Sequence, residues 1–285
     1  SCLYEHADSR QGYQPAYDAK VFQYRCPGVK SFLVSNAYYW LSKYHFDGIC
    51  FNDLASVLYL DYGRSEWVCN AYGGKENLEF IDFIKEFNAK VKNDFKGVLT
   101  VANIDAVWAD VSVKNSHSLG FDYVWNNGFK NDFVSYLQTD SYARQSKLMP
   151  LLHGLDYAYN ENFVLPIMAD YAENGFVAKL PGNIDDKYAT MRAAYAFGML
   201  YPGKKLNISG IDSLVSKRTK KAKDNDYSLG MEALISKMNE LYKSEVLLSG
   251  TDDKTDGLAW INHEADVSNV ITGIRKGNKK NEILY

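Results

Sequence analysis

The chain has 285 residues, 46% hydrophobic and 24% charged, a balance that suits a soluble globular protein with one large or two smaller domains. Its 32 Lys and Arg against 35 Asp and Glu leave a net charge of −3, which excludes a general binder of nucleic acid or of acidic membranes. No apolar run approaches the length of a membrane span, and no opening stretch reads as a signal peptide.

In chain order, the first strong pattern is a helix from about Val29 to Lys43, with Phe32, Ala37, Tyr39 and Trp40 expected to supply its apolar contacts. Gly48 to Asn52 reads as a short buried strand, followed by a loop and an apolar helical turn. Gly73-Gly74 forms a turn, and Asn77 is placed to cap a helix whose Phe80, Ile84, Phe87 and Val91 recur at helical spacing. Gly97 ends that helix, and Val98 to Val101 is the next strand. Leu119 to Asn126 reads as a strand, with a helix beginning at Asn131 and running to Leu137. Asn162 to Asp170 is a further strand, Asp185 to Leu200 a helix stopped by Pro202-Gly203, and Lys205 to Gly210 the last strand of the series. A closing helix from Met231 to Leu248 carries Met231, Ile235, Met238 and Tyr242 on one stripe. Strands alternating with helices, without period-two patterning, predict a parallel sheet covered by helices. From Leu258 the pattern changes to short strands, LAWINHE, NVITGIRKG and EILY, so residues 1–250 and 251–285 are expected to form separate domains.

The motif content is otherwise sparse. Cys2, Cys26, Cys50 and Cys69 show no C-x-x-C spacing, and His6, His45, His117, His153 and His263 are scattered, so no metal site is expected. The cysteines read as reduced thiols in a cytoplasmic protein. Neither glycine turn fits a phosphate loop, and no cofactor is implied. Lys217 to Lys223 is a basic run that Asp224 and Asp226 dilute into a solvated loop. The chain opens on Ser1 rather than methionine, so an upstream segment is expected.

The run from Tyr44 to Tyr62, YHFDGICFNDLASVLYLDY, stands close to the pattern D-G-L-R-V-D-A-V-A-S-M-L-Y-L-D-Y. Leu3 to Gly12 (LYEHADSRQG), Val21 to Tyr24 (VFQY) and Gly73 to Glu79 (GGKENLE) fall in the same register of motifs. Together they resemble the 1,4-α-glucan (glycogen) branching enzymes of the α-amylase superfamily. The resemblance implies a partial (β/α)8 barrel, its strands four to eight, followed by the beginning of an antiparallel β-sandwich. Five parallel strands do not close a barrel, so both sheet edges are expected to be open. A homo-oligomer contact or a partner chain is expected to cover them.

Enzymes of this superfamily that retain anomeric configuration use one carboxylate as nucleophile and another carboxyl group as acid, with a third acid gripping the sugar. By resemblance the nucleophile's place is Asn52, and Cys50 stands where an arginine would support it. The acid's place, in LTVANID against L-T-I-A-E-E-S, is Asn103. The third acid is kept as Asp170, in VLPIMAD against V-L-P-L-S-H-D, while the histidine before it is Ala169. An amide copies a carboxylate's shape but is a poor nucleophile and has no acidic proton to give. The expected protein is therefore a non-catalytic relative that holds α-glucan through Asp170, Trp125 and Tyr59, or acts through another chain. Two alternatives stand beside it. One is an active transferase making α-1,6 from α-1,4 linkages, its site relocated to Asp53 or Asp105 or completed by a partner. The other is an interaction protein without sugar binding. Asp53 should face away from Asn52, because neighbours on a strand point to opposite faces, and Asp105 lies beyond the expected strand end.

Overall fold

The computed structural model describes residues 4–113, 117–168, 179–207, 226–250, 257–262, 271–276 and 282–284. The chain divides into two compact units, Ser1–Trp125 and Asn126–Tyr285.

The first unit opens with a helical turn, α1 (Ser9–Gly12), and a small antiparallel hairpin of β1 (Tyr13–Gln14) and β2 (Ala19–Lys20). Then follow α2 (Pro27–Lys43), β3 (Gly48–Phe51), the single turn α3 (Ala55–Leu58) and α4 (Leu78–Asp94). Strands β4 (Leu99–Ala102) and β5 (Tyr123–Trp125) complete it. β3 pairs with β4 in parallel from Gly48↔Leu99 to Phe51↔Ala102, and β4 pairs with β5 in parallel. The expected stripe on α4 is buried: Phe80, Ile84, Phe87 and Val91, joined by Phe83. Phe51 sets its ring edge-on to Phe87 at 5.1 Å and to Phe121 at 5.8 Å, which ties the helix-facing side of β3 to this core. Asn77 caps α4 as expected, its side chain accepting from the Phe80 N–H at 3.2 Å.

Two expectations for this unit are corrected. Phe32, Tyr39 and Trp40 do not enter the core; they are 56%, 50% and 40% exposed. The buried positions of α2 are Val29, Ala37 and Leu41, with Leu33 half-buried between them, a stripe at every fourth residue on the side toward α4. The strand expected over Leu119–Asn126 is reduced to Tyr123–Trp125. Gly120 adopts φ +87°, and α4 draws the backbone before it aside: Asn88 Nδ2 donates to Leu119 O, and Lys92 Nζ to Gly120 O, each at 2.8 Å.

The second unit contains α5 (Asn127–Gln138), α6 (Leu148–Tyr157), β6 (Phe163–Met168), α7 (Ile184–Leu200) and β7 (Lys204–Asn207). It continues with α8 (Asp226–Ser244), the short α9 (Val246–Ser249), and β8 (Leu258–Asn262), β9 (Thr272–Lys276) and β10 (Glu282–Leu284). β6 and β7 are parallel, and the larger sheet runs in the order β3-β4-β5-β6-β7, the five-stranded parallel arrangement expected. β10, β9 and β8 form a separate antiparallel sheet. The core of this unit gathers Phe129, Phe133, Leu165, Tyr188, Tyr195 and Met231, and the α8 stripe of Ile235, Met238 and Tyr242 packs against it as expected. α5 begins at Asn127 rather than Asn131, because Asn126 caps it by accepting from the Phe129 N–H at 2.9 Å. α6 was not expected. Its Pro150 sits in the first turn, where a missing N–H breaks no helical bond, and Leu148, Leu151 and Leu152 are buried. α7 gains a reciprocal capping box between Asn183 and Asp186. The closing helix is interrupted at Glu245, whose backbone is extended.

Candidate functional site

Asn52 and Asn103 stand just past the carboxyl ends of the adjacent strands β3 and β4. The ladder between the strands continues beyond their named ends: the Asn103 N–H donates to Phe51 O at 2.8 Å, and Asn103 O accepts from the Leu54 N–H at 3.1 Å. These backbone bonds bring the two amides together, and Asn103 Nδ2 donates to Asn52 Oδ1 at 3.3 Å. The Cys50 thiol reaches the same oxygen at 3.6 Å. Three of the sequence-predicted positions, Cys50, Asn52 and Asn103, therefore form one constellation on the side of the sheet opposite Phe51.

The chemistry open to this group is narrow. The Asn52 carbonyl oxygen is occupied by two donors and carries no charge, and the Asn103 amide has no acidic proton to transfer. Burial pushes the Cys50 thiol above its ordinary value, so its thiolate is scarce near neutral pH and it is a weak replacement nucleophile. Restoring carboxylates at both positions would set two like charges at amide-contact distance, which raises the pKa of one of them.

Asp53 adopts φ +58°, and its carboxylate lies close enough to the Tyr17 hydroxyl to influence it. Hydrogen bonds to Tyr62 and then to Asp53 hold that hydroxyl well above the usual tyrosine range. Asp105 is exposed in the loop after β4, as its position past the strand end suggested. Ala169 and Asp170 lie outside the described residues, as do His263 and the basic run Lys217–Lys223.

Of the two rings proposed to hold sugar, Trp125 ends β5 and is half-buried. Tyr59 lines a shallow, open depression of 350 Å³ with Asp61, Tyr62, Lys75, Ala106 and Val107. Its hydroxyl donates to Val107 O at 2.6 Å, its ring meets Trp108 edge-on at 5.3 Å, and Lys75 Nζ lies 5.1 Å from the ring centre. Desolvation, with the nearby Glu76 and Asp61 charges, holds its hydroxyl above the ordinary value. Sequence reasoning did not assign Asp61, Tyr62 or Lys75 to a site. The Tyr59-Leu60-Asp61-Tyr62 run contained a signal for the first two. Ala106 and Val107 arrive from the loop after β4, which no local pattern marks. Among the described residues no group of His, Cys, Asp or Glu is arranged to hold a metal ion, and no helix is long and apolar enough to cross a membrane.

No protein-family model matches the chain. Among curated proteins it is 38% identical over 293 residues to the 1,4-alpha-glucan branching enzyme GlgB of Aquifex aeolicus, covering 99% of this chain and 46% of that protein. It is 39% identical over 289 residues to the enzyme of the same name from Nitrosospira multiformis, covering 96% of this chain and 39% of that protein. The chain thus spans less than half the length of these relatives. Among solved structures, it aligns with a putative alpha amylase from Salmonella typhimurium at a TM-score of 0.64 and 13% identity, over 96% of this chain and 55% of the other. The pullulanase complexed with maltotriose from Anoxybacillus sp. LM18-11 aligns at 0.64 and 12% identity, over 96% and 41%. These structural likenesses concern the fold. Across nearly all of its length the chain is a homologue of a segment, under half, of the 1,4-α-glucan branching enzymes, folded in the manner of the α-amylase superfamily.

Proposed function

We propose that this chain is a non-catalytic relative of the branching enzymes that holds α-glucan without cutting it. The observation that carries this reading is the 3.3 Å contact between the Asn52 and Asn103 amides, at the positions where the resemblance calls for a nucleophile and an acid. A retaining transfer needs one carboxylate to form a glycosyl-enzyme bond and another to move a proton, and neither amide does either. Glucan binding is assigned to Tyr59 and Trp125, whose rings offer apolar faces to a sugar, and to Asp170 as a hydroxyl acceptor. The name shared by the curated relatives supports α-glucan as the ligand class.

The reading extends to place and organisation. The thiols of Cys50 and Cys69 support a reducing compartment such as the cytoplasm. The antiparallel sheet of β8, β9 and β10 supports a domain beginning near residue 251.

Two assays test the proposal together. Incubation with amylose should yield no new α-1,6 linkages, and migration in a native gel should be retarded when glycogen is cast into it. New branches would refute the non-catalytic part, and unchanged migration would refute the binding part. The double substitution Asn52→Asp with Asn103→Glu should leave the protein inactive, because Cys50 and Ala169 still stand where supporting groups are needed.

A further inference from the structure

The depression around Tyr59 is built by backbone bonds as well as by side chains. Tyr59 forms an antiparallel bridge with Glu76, the Leu60 N–H donates to Lys75 O at 2.7 Å, and the Asn77 N–H donates to Leu58 O at 2.8 Å. The segment that follows α3 is therefore laced to the segment that precedes α4, with Asp61 on one and Lys75 on the other. Arg64 Nη1 donates to Leu60 O at 2.6 Å and steadies the first of these segments. The remaining wall is the loop after β4, held by the bond from the Tyr59 hydroxyl to Val107 O.

The groups that line the depression differ in what they have left to offer. The Tyr59 hydroxyl is spent on Val107 O, its ring meets Trp108 edge-on, and Lys75 Nζ sits over its face. Lys75 and Asp61 retain capacity. A cation–π contact uses the charge of an ammonium and none of its N–H donors. Lys75 Nζ and the Asp61 carboxylate are 3.9 Å apart, beyond hydrogen-bond length, and both side chains reach solvent. A donor and an acceptor held at this separation leave room for a bridging group that accepts from one and donates to the other. Their opposite charges cancel, which favours a neutral ligand over a phosphate or a metal ion. Beside the pair, Ala106 and Val107 present exposed methyl groups.

We propose that this depression reads the vicinal diol of one glucosyl residue. Lys75 donates to one ring hydroxyl, Asp61 accepts from its neighbour, and Ala106 and Val107 meet the C–H surface of the sugar. Tyr59 serves the subsite by holding Lys75 in place and by forming part of the wall. The assignment rests on the reading that the chain binds α-glucan, and it adds which hydroxyls are recognised and by which side chains. In an α-1,4-linked chain O1 and O4 are tied up in the linkages, so O2 and O3 are the adjacent pair that each internal residue still offers. The volume of 350 Å³ is near the lower end of ligand sites, about 300 Å³, which suits a short stretch of chain and leaves the rest in solvent. The subsite uses neither Asn52 nor Asn103, so it does not depend on whether those amides are inert.

The test is calorimetric titration of the full 285-residue chain with maltoheptaose, and with maltoheptaose methylated at O2 and O3. The unmodified oligosaccharide should bind, and methylation should weaken binding by about tenfold or more, because it removes the hydroxyl protons that Asp61 accepts. Asp61→Asn and Lys75→Met should each weaken binding of the unmodified oligosaccharide by about tenfold. Thermal unfolding should stay as it was, since an exposed ion pair adds little stability. The methylated ligand needs no substitution, so the test holds even where a variant fails to fold. Equal affinity for the two oligosaccharides overturns the assignment and leaves the glucan reading standing. So do folded variants that keep the parent's affinity. No binding of maltoheptaose by the parent overturns the glucan reading and the assignment with it.

Discussion

Helices α2 and α4 are both 17 residues long and belong to the same unit, yet they treat their aromatic residues in opposite ways. On α4, Phe80, Phe83 and Phe87 are buried with Ile84 and Val91. On α2, Phe32, Tyr39 and Trp40 stay at the surface, and the smaller Val29, Ala37 and Leu41 are buried. Ring content therefore does not tell a helix which way to face. The neighbour does: α2 packs against α4, while α4 sets Phe87 against Phe51 of β3 and Phe80 and Phe83 against Tyr24. Hydrophobic side chains left outside are common.

Substitutions that break this contrast should separate cleanly. Phe87→Ala removes a ring from the packed side of α4 and should lower unfolding free energy by about 3–5 kcal/mol, measured by urea titration. A Phe87 variant within 1 kcal/mol of the parent, on the order of a surface change, would deny that this face carries the unit's core. Alkaline pH should act next. Burial lifts the Tyr24 hydroxyl from its ordinary 10 to about 12. The unfolded chain then releases this proton first, so stability is full below pH 10 and falls as the pH climbs toward 12. The loss is on the order of 2 kcal/mol, to be followed by denaturant midpoints against tyrosinate absorbance. Removing the α4 cap by Asn77→Ala should cost about 1 kcal/mol, read as a lower urea midpoint with unchanged slope. The mildest change is Phe32→Ala on the exposed side of α2, expected to stay within about 0.5 kcal/mol. A loss comparable to that of Phe87→Ala would erase the contrast between the helices.

Much of the fold was legible because α4 and α8 write their stripes at helical spacing, and α4 and α7 carry recognisable stops. The order of strands and helices followed from runs without period-two alternation. Edges were less legible: the shortening of β5 depends on Gly120 and on side chains arriving from α4, and α6 was hidden by Pro150 and Gly154. The amide pair was marked by a motif spanning Asp47 to Tyr62, but its 3.3 Å contact comes from a backbone ladder between residues far apart in sequence. Asp53 illustrates the same limit. Strand parity indicated that it faces away, and only the folded chain shows its positive φ and its nearness to Tyr17. The depression around Tyr59 needs Ala106 and Val107 from a separate loop, which no periodicity announces.

A glycosyl trap addresses the central claim most directly. The intact chain is incubated with a fluorinated glucosyl fluoride, which leaves a long-lived sugar ester on any carboxylate that attacks it, and is then weighed by mass spectrometry. An unmodified mass is the predicted outcome, because Asn52 offers an amide where attack would occur. A glucosyl adduct mapped to Asp53, Asp105 or Asp170 would show a working nucleophile and contradict the account.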